Sequence, residues 1–272
     1  MAFFKGTVRS DVMVMDTALT VVLPFDMKKI PEKECPAVFL LHGLKQGSDA
    51  WARMSSAERY ANEYGVALVM PEVQRSFYTD MEMGLRYFTY VSEELPKICS
   101  EMFHLSARRQ DRFAAGLSMG GYGAVKLGLR APHVFSACAG FSGCLDMQSL
   151  LTQAQKGDEN SEMAQEVRAI YGTDLTLRPE DDLFRLAEKT ALLPEQDRPR
   201  VMVTCGEQDF LLSHNRRFRD RMETLPYEFV YREWPALTNG AFGTNPSNTH
   251  WSSSCPDAVR RWQNWTESEE TL

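Results

Sequence analysis

The sequence RFAAGLSMGGYGA, residues 112–124, decides the fold of this chain. Residues 112–115 are typical of a short apolar strand, and residues 122–129 carry apolar side chains at helical spacing before a proline ends the helix. The Gly-x-Ser-x-Gly pattern between them, centred on Ser118, is weak by itself. Its strand–turn–helix context indicates a nucleophile elbow, which lifts a serine hydroxyl clear of a sheet. An ordinary glycine-rich loop, such as one that binds phosphate, is the alternative.

A second apolar run, AVFLL at residues 37–41, leads directly into His42 and Gly43. A continuous apolar run is expected of a strand that is buried on both faces of a parallel sheet. A His-Gly turn near a nucleophile elbow indicates the loop that completes an oxyanion hole, with the backbone N–H groups of Leu44 and Met119 as donors. We interpret the His42 ring as structural, holding this loop by hydrogen bonds, because its position in the chain order is wrong for the base.

The acid and the base should follow the serine, since the chain order in this architecture is Ser, acid, His. Asp209 comes just after a strand-like run, two strands after the elbow, and is predicted to be the acid. Glu207 is the alternative acid, and helix capping is the alternative role for Asp209. Of the two histidines that follow, we interpret His214 as a surface residue, and His250 has the correct order in a loop after the last strand. The predicted triad therefore consists of Ser118, Asp209 and His250.

Strand and helix patterns alternate from residue 37 onward, which indicates an α/β fold with a mostly parallel sheet and helices on both faces. Residues 12–15 and 18–23 flank a turn and predict an N-terminal antiparallel hairpin. The pattern changes over residues 144–196, which we interpret as a small lid insertion over the site, with a surface excursion as the alternative. The whole chain, residues 1–272, is predicted to be a single domain, because single α/β domains of about 200–250 residues are common.

The composition argues against several classes of function. The formal net charge is −7 and the basic residues are scattered, which disfavours a nucleic-acid surface. No apolar run approaches the ~20 residues that span a bilayer, and the first residues lack the features of a signal peptide. The six cysteines lie far apart without a CxxC pair, which predicts reduced thiols and no metal centre. We therefore expect a cytoplasmic protein with no cofactor, no metal and no nucleic-acid or membrane partner, and a homo-oligomer is compatible with the sequence.

Five motifs together resemble the esterase D-like branch of the α/β-hydrolase fold, closest to bacterial tributyrin esterases and related acetyl and feruloyl esterases. The motifs are LLHG at 40–43, FYTDM at 77–81, EELP at 93–96, GLSMGGYGA at 116–124 and CGEQDFL at 205–211. The resemblance runs from about residue 1 to Trp234 and implies a serine carboxylesterase that acts on short acyl esters. It also implies that Ser118 is the nucleophile and Asp209 the orienting acid, and that the Leu44 and Met119 amides form the oxyanion hole. S-formylglutathione hydrolases and mycolyl-type acyltransferases share the fold, so the fold alone does not choose the activity.

The chain departs from the family pattern after Trp234. That pattern resembles W-P-G-x-H-x-W-x-F-W-D, with the catalytic histidine four residues after the tryptophan, where this chain has Thr238. Residues 236–272 therefore form an atypical C-terminal segment. Residues 234–247 can be reverse-translated into codons that, after insertion of one guanine, encode W-P-G-A-H-E-W-S-F-W-D. We therefore hypothesise that the reading frame is shifted from about residue 236. The alternatives to an active esterase are a catalytically impaired relative that binds acyl ligands, an S-formylglutathione hydrolase and an acyltransferase.

Overall fold

The computed structural model describes residues 1–24 and 34–235, and its centre is a single eight-stranded sheet. The strands are β1 (Ala2–Ser10), β2 (Met15–Leu23), β3 (Ala37–Leu41), β4 (Ala67–Pro71), β5 (Arg112–Leu117), β6 (Ala137–Phe141), β7 (Arg200–Gly206) and β8 (Phe229–Trp234). Their order across the sheet is β1-β2-β4-β3-β5-β6-β7-β8. Strands β3 to β8 run parallel, whereas β1 and β2 are antiparallel to their neighbours. The predicted mostly parallel sheet is confirmed.

Helices connect the parallel strands. They are α1 (Ala50–Met54), α2 (Ala57–Tyr64), α3 (Tyr87–Thr89), α4 (Leu95–Phe103), α5 (Met119–Arg130), α6 (Met147–Lys156), α7 (Glu162–Tyr171), α8 (Leu183–Thr190) and α9 (Leu212–Met222). A π-helical turn at Tyr90–Glu94 joins α3 to α4, and Pro96 is the second residue of α4.

The central strands are buried on both faces, as their continuous apolar sequences predict. All five residues of β3 are buried. Phe39 and Leu41 belong to one hydrophobic cluster, whereas Val38 and Leu40 belong to a second cluster. Successive side chains of a strand point to opposite faces, so the two clusters are the cores above and below the sheet. The polar residues that follow each strand therefore gather at one edge of the sheet.

The N-terminal hairpin exists, but the sequence placed its turn wrongly. The turn lies at residues 11–14, and Asp16 and Thr17 lie inside β2, where they pair with Arg9 and Val8. Strand β1 was missed because it is an exposed edge strand, so burial imposes no regular apolar alternation on most of its length. In the sequence alone, the polar residues Asp16 and Thr17 therefore could not be distinguished from a turn.

Residues 144–196 lie between β6 and β7 and contain α6, α7 and α8. Helix α6 comes first in this segment, and α7 and α8 follow it. Helix α8 packs against α5 and α9, whereas α6 packs against α7. The N–H groups of Glu82 and Met83 donate to carbonyls of α7, which attaches the insertion to the loop after β4.

Within residues 1–24 and 34–235, no helix is long and apolar enough to cross a membrane. The same residues contain no group of three or more His, Cys, Asp or Glu side chains that could hold a metal ion. Five cysteines lie in the described ranges, and all five are free thiols.

Candidate active site

Ser118 occupies the sharp turn between β5 and α5. Its backbone has φ 58° and ψ −115°, a conformation that is costly for a residue with a Cβ atom. The Ser118 N–H donates to the Phe141 carbonyl at the end of β6, at 2.9 Å. The Ser118 carbonyl accepts from the N–H groups of Tyr122 and Cys144, at 3.1 and 3.2 Å. These bonds hold a strained backbone in place, and strain of this kind is concentrated at functional sites.

Two glycines allow the strand and the helix to approach each other at this turn. A Cβ atom on Gly116 would lie 2.3 Å from the Gly120 carbonyl oxygen. A Cβ atom on Gly120 would lie 2.3 Å from the carbonyl oxygen of Leu41 and 2.8 Å from that of His42. Only glycine fits at either position. The first turn of α5 is thus packed directly on the end of β3.

The loop after β3 lies beside this turn and presents a backbone donor. Gly43 lies beside the end of β5, where an added Cβ atom would be in ordinary van der Waals contact with the Leu117 carbonyl oxygen at 3.6 Å. In the described part of the chain, no acceptor is bonded to the Leu44 N–H. Met119 is the first residue of α5, so its N–H has no partner within the helix. Two backbone N–H groups near Ser118 are the components that an oxyanion hole requires.

Hydrogen bonds from several directions fix this loop. The His42 ring is buried, its Nδ1 lies 2.9 Å from the Gly43 carbonyl oxygen, and its Nε2 accepts from the Val73 N–H at 3.3 Å. The Gln46 side chain accepts from the Gly43 N–H at 2.9 Å, and the Trp51 indole donates to the Leu41 carbonyl at 2.8 Å. The His42 ring makes the loop contacts that the sequence interpretation expected of it.

Asp209 lies just beyond the end of β7, where its carboxylate is buried and accepts from the Leu211 N–H at 2.8 Å. Glu207 is exposed. Strands β5 and β7 are separated only by β6, which places their ends about 10 Å apart at the usual strand spacing. Burial therefore favours Asp209 over Glu207 as the orienting acid.

His214 is buried, which corrects the interpretation of it as a surface residue. It lies in the first turn of α9, where Phe218 and Met222 also face the core, and sequence spacing alone did not reveal that face. Its Nδ1 has no hydrogen-bond partner among the described residues. Burial lowers the pKa of His214, the Asp146 carboxylate opposes that shift, and the charge of Arg217 adds to it, so the neutral form of the ring is favoured.

Two cysteines lie close to this edge of the sheet but do not compete with Ser118 as nucleophiles. Cys144 donates its backbone N–H to the Ser118 carbonyl, and the side chain of Cys205, the next-to-last residue of β7, lies beside Ser142. Burial is the main cause that raises the pKa of each thiol to about 12. A thiol with such a pKa stays protonated at neutral pH and is a poor nucleophile.

The structure thus brings Ser118, Met119 and Leu44 together and places Asp209 two strands away. His250 lies outside the described residues, as does the segment 236–272. The sequence reasoning missed two strained residues of the site edge, Ser142 with φ 42° and Tyr78 with φ 51°. Tyr78 stood inside the FYTDM motif, but no local pattern predicts a positive φ at a non-glycine residue.

Comparisons with known proteins agree with this geometry. A family model described as putative esterase matches residues 10–253. An acetyl esterase of Caldicellulosiruptor saccharolyticus is 26% identical over 241 residues, which cover 86% of this chain and 90% of that protein. A substrate-bound fluorophosphonate-binding serine hydrolase F of Staphylococcus aureus is 30% identical, with a TM-score of 0.79 over 96% of this chain and 98% of that one. An S-formylglutathione hydrolase of the same species is 30% identical, with a TM-score of 0.76 over the same shares.

Proposed function

Because the chain belongs to the esterase family and is a carboxylic ester hydrolase of the α/β-hydrolase fold, we propose that it hydrolyses short-chain acyl esters through an acyl-enzyme on Ser118. In this proposal the Ser118 hydroxyl attacks the ester carbonyl, and the Leu44 and Met119 N–H groups stabilise the resulting oxyanion. A histidine accepts the serine proton and returns it to the leaving alcohol. Water then repeats the sequence on the acyl-enzyme and releases the acid.

One observation carries the proposal: Ser118 has a strained backbone with φ 58° and ψ −115° at the start of α5, and Gly120 in the first turn of α5 packs against the end of β3. A serine hydroxyl alone is a weak nucleophile and needs a base and an oriented acid. Asp209 is our proposed acid, since its buried carboxylate would hold an imidazole in the productive tautomer. His250 remains the candidate base that the chain order offers.

The preference for short acyl groups is supported by the acetyl esterase relative. We further propose that the chain is a single domain in which residues 144–196 form a lid that limits the acyl pocket. The insertion begins at Cys144, which is hydrogen-bonded to Ser118, and its helix α7 is bonded to the loop after β4. If shortening the exposed residues 157–160 left the relative rates on acetate, butyrate and octanoate esters unchanged, the lid would be contradicted.

A thioester hydrolase is the second candidate, because an S-formylglutathione hydrolase is among the relatives that are 30% identical. The same nucleophile and oxyanion hole would serve a thioester carbonyl. A higher kcat/KM for S-formylglutathione than for p-nitrophenyl acetate would favour this candidate over the carboxylesterase.

Compartment is a further part of the proposal. The free thiols of the described cysteines fit a reducing compartment, which supports a cytoplasmic enzyme. Recovery of the protein from the medium or the periplasm of its native cells would contradict it.

The test of the main proposal uses p-nitrophenyl acetate and butyrate, together with labelling by a fluorophosphonate. We expect Ser118→Ala to lose hydrolysis by several orders of magnitude and to lose the label, with the fold unchanged. Ser100→Ala is the matched control, since its hydroxyl lies on α4 and bonds Pro96 and Arg112. Ser118→Ala turnover within tenfold of the parent would remove Ser118 from the mechanism.

A further inference from the structure

Tyr78 touches the two elements that would carry the oxyanion hole. It is fully buried in the loop between β4 and α3, and its hydroxyl donates to the His42 carbonyl at 2.9 Å. Its ring lies against Gly123 on α5, where an added Cβ atom would come within 2.4 Å of a ring carbon. One end of the side chain thus contacts the loop after β3, and its ring contacts the helix of the nucleophile.

These two contacts lie close to the proposed donors. His42 is two residues before Leu44, and Gly123 is one helical turn after Met119. We propose that Tyr78 is a positioning residue, which sets the separation of the Leu44 and Met119 N–H groups that stabilise the oxyanion. The inference rests on the proposed function and adds to it the residue that holds the two halves of the hole at a fixed distance.

The backbone around Tyr78 is strained, and local hydrogen bonds hold it. Phe77 and Tyr78 have φ of 49° and 51°, a conformation that is unfavourable for a residue with a Cβ atom. The Tyr78 N–H donates to the Ser76 hydroxyl at 3.2 Å, and the Thr79 hydroxyl donates to the Phe77 carbonyl at 2.9 Å. Two adjacent strained residues direct the Tyr78 side chain inward between the loop and α5.

A buried lysine ties the same loop to α5 a second time. The Lys126 ammonium donates to the Thr79 hydroxyl at 2.7 Å and pairs with Asp181 at 2.6 Å. Lys126 is three residues after Gly123, nearly one helical turn, so both attachments of the loop are made to one stretch of α5. The bond between Lys126 and Thr79, the residue after Tyr78, therefore helps to hold this part of the loop against the helix.

Tyr78 acts in this proposal as a hydrogen-bond donor rather than as an acid or a base. Burial raises the pKa of Tyr78 well above its ordinary value, so the phenol stays protonated. A residue that only fills the core would affect stability without affecting the transition state. A residue that sets the oxyanion donors would lower kcat, because the oxyanion exists only in the transition states of acylation and deacylation.

The decisive variant is Tyr78→Phe, with Tyr90→Phe as the matched control. Tyr90 is also fully buried, but its hydroxyl has no hydrogen-bond partner in the described structure. We expect Tyr78→Phe to lower kcat for p-nitrophenyl acetate by about tenfold to a hundredfold with KM changed less than about twofold. The inhibition constant of a trifluoromethyl ketone, which forms a tetrahedral adduct, should rise by the same factor. Tyr90→Phe should match the parent in all three quantities.

A second pair of variants tests the ring contact from the helix side. Gly123→Ala places a methyl group against the Tyr78 ring, whereas Gly128→Ala, on the same helix, places one 2.5 Å from the Cys138 sulfur. We expect only Gly123→Ala to lower kcat, while both lower the midpoint of thermal unfolding. All rates are measured well below those midpoints.

The outcomes separate this inference from the proposed function. If the parent has a far higher kcat than Ser118→Ala, but the kcat of Tyr78→Phe is within twofold of the parent value, the positioning role is overturned and the proposed function is not. Equal losses in Tyr78→Phe and Tyr90→Phe, or in Gly123→Ala and Gly128→Ala, would also overturn it. A parent no faster than Ser118→Ala would overturn the proposed function and this inference with it.

Discussion

At the scale of single residues, the site depends on backbone conformations that side chains do not favour. Ser118, Ser142 and Tyr78 all have positive φ, and they lie at or near the same edge of the sheet. Each residue would adopt a more favourable backbone conformation if its contacts were lost, so the surrounding contacts fix its conformation and the direction of its side chain. Preorganised geometry of this kind is what stabilisation of an oxyanion requires, since donors that had to reorganise during the reaction would contribute less.

Asp209→Asn tests the acid at this scale. In a chain that carries the family histidine at position 238, an asparagine in place of Asp209 would hold the catalytic imidazole in the wrong tautomer, so we expect kcat to fall by about 10⁴-fold or to the Ser118→Ala background, whichever comes first. Glu207→Gln, two residues earlier and exposed, should stay within a few-fold of the parent. The measurement is the rate on p-nitrophenyl butyrate at neutral pH. If Glu207→Gln lowered this rate strongly and Asp209→Asn lowered it only slightly, the assignment of Asp209 as the acid would be wrong.

At the scale of secondary-structure elements, the insertion between β6 and β7 is attached to α5 by a buried ionic cluster. Asp181 is fully buried and pairs with Lys126 at 2.6 Å, Arg178 at 2.8 Å and Arg130 at 3.4 Å. The Tyr122 hydroxyl also donates to the Asp181 backbone carbonyl at 2.7 Å. Burial lowers the pKa of Lys126 to about 8, although Asp181 opposes that shift. The cluster therefore depends on the Asp181 carboxylate to balance three basic groups.

Asp181→Asn should destabilise the protein by about 3–5 kcal/mol at pH 7, because it leaves a buried cation without its partner. Burial alone would raise the pKa of Asp181, but Lys126 and Arg178 lower it below its ordinary value. The carboxylate's contribution to stability is therefore complete above pH ~4, the ordinary aspartate pKa, and is lost as the pH falls through the lower folded value. The difference between parent and variant should accordingly narrow in acid.

Urea unfolding at pH 7 and at pH values below about 4 measures this difference. Glu180→Gln is the control, since it removes the same charge from an exposed neighbour and should change stability by less than about 0.5 kcal/mol. Equal stability of the two variants at pH 7 would show that the cluster does not hold the insertion.

Sequence reasoning succeeded where local chemistry decides the structure and failed where tertiary contacts do. The apolar run at 37–41 and the glycines around Ser118 predicted β3 and the elbow, because burial and close approach leave few alternatives at those positions. Strand β1 was missed because its exposed face is not patterned. The buried Lys126–Asp181 pair could not be predicted either, since its partners are 55 residues apart and each resembles a solvated surface residue.

At the scale of the whole molecule, the chain leaves the sheet beside the proposed acid. The Glu207 N–H donates to the Trp234 carbonyl at 3.0 Å, so the end of β8 lies against the turn that carries Asp209. A residue four positions after Trp234 is within about 14 Å of that point even when the chain is fully extended. Position 238, where the family pattern has its histidine, is thus close enough to reach Asp209. This chain has Thr238 there, and its next histidine is His250.

We therefore predict that this chain is a weak esterase and that restoring one guanine after the Trp234-Pro235 codons makes it a stronger one. The restored frame reads W-P-G-A-H-E-W and places a histidine at position 238. A general base contributes typically 10²–10⁴-fold and must come within about 2.6–3.2 Å of the serine hydroxyl, or reach it through one water. We expect kcat/KM for p-nitrophenyl butyrate to rise by at least about 10²-fold in the restored chain, and Ser118→Ala to abolish the gain.

His250→Ala in the unrestored chain should change kcat/KM little, because a residue 16 positions after Trp234 has to fold back over Asp209 to serve as the base. A large loss in that variant, or ordinary esterase rates in the unrestored chain, would show that His250 already completes the triad.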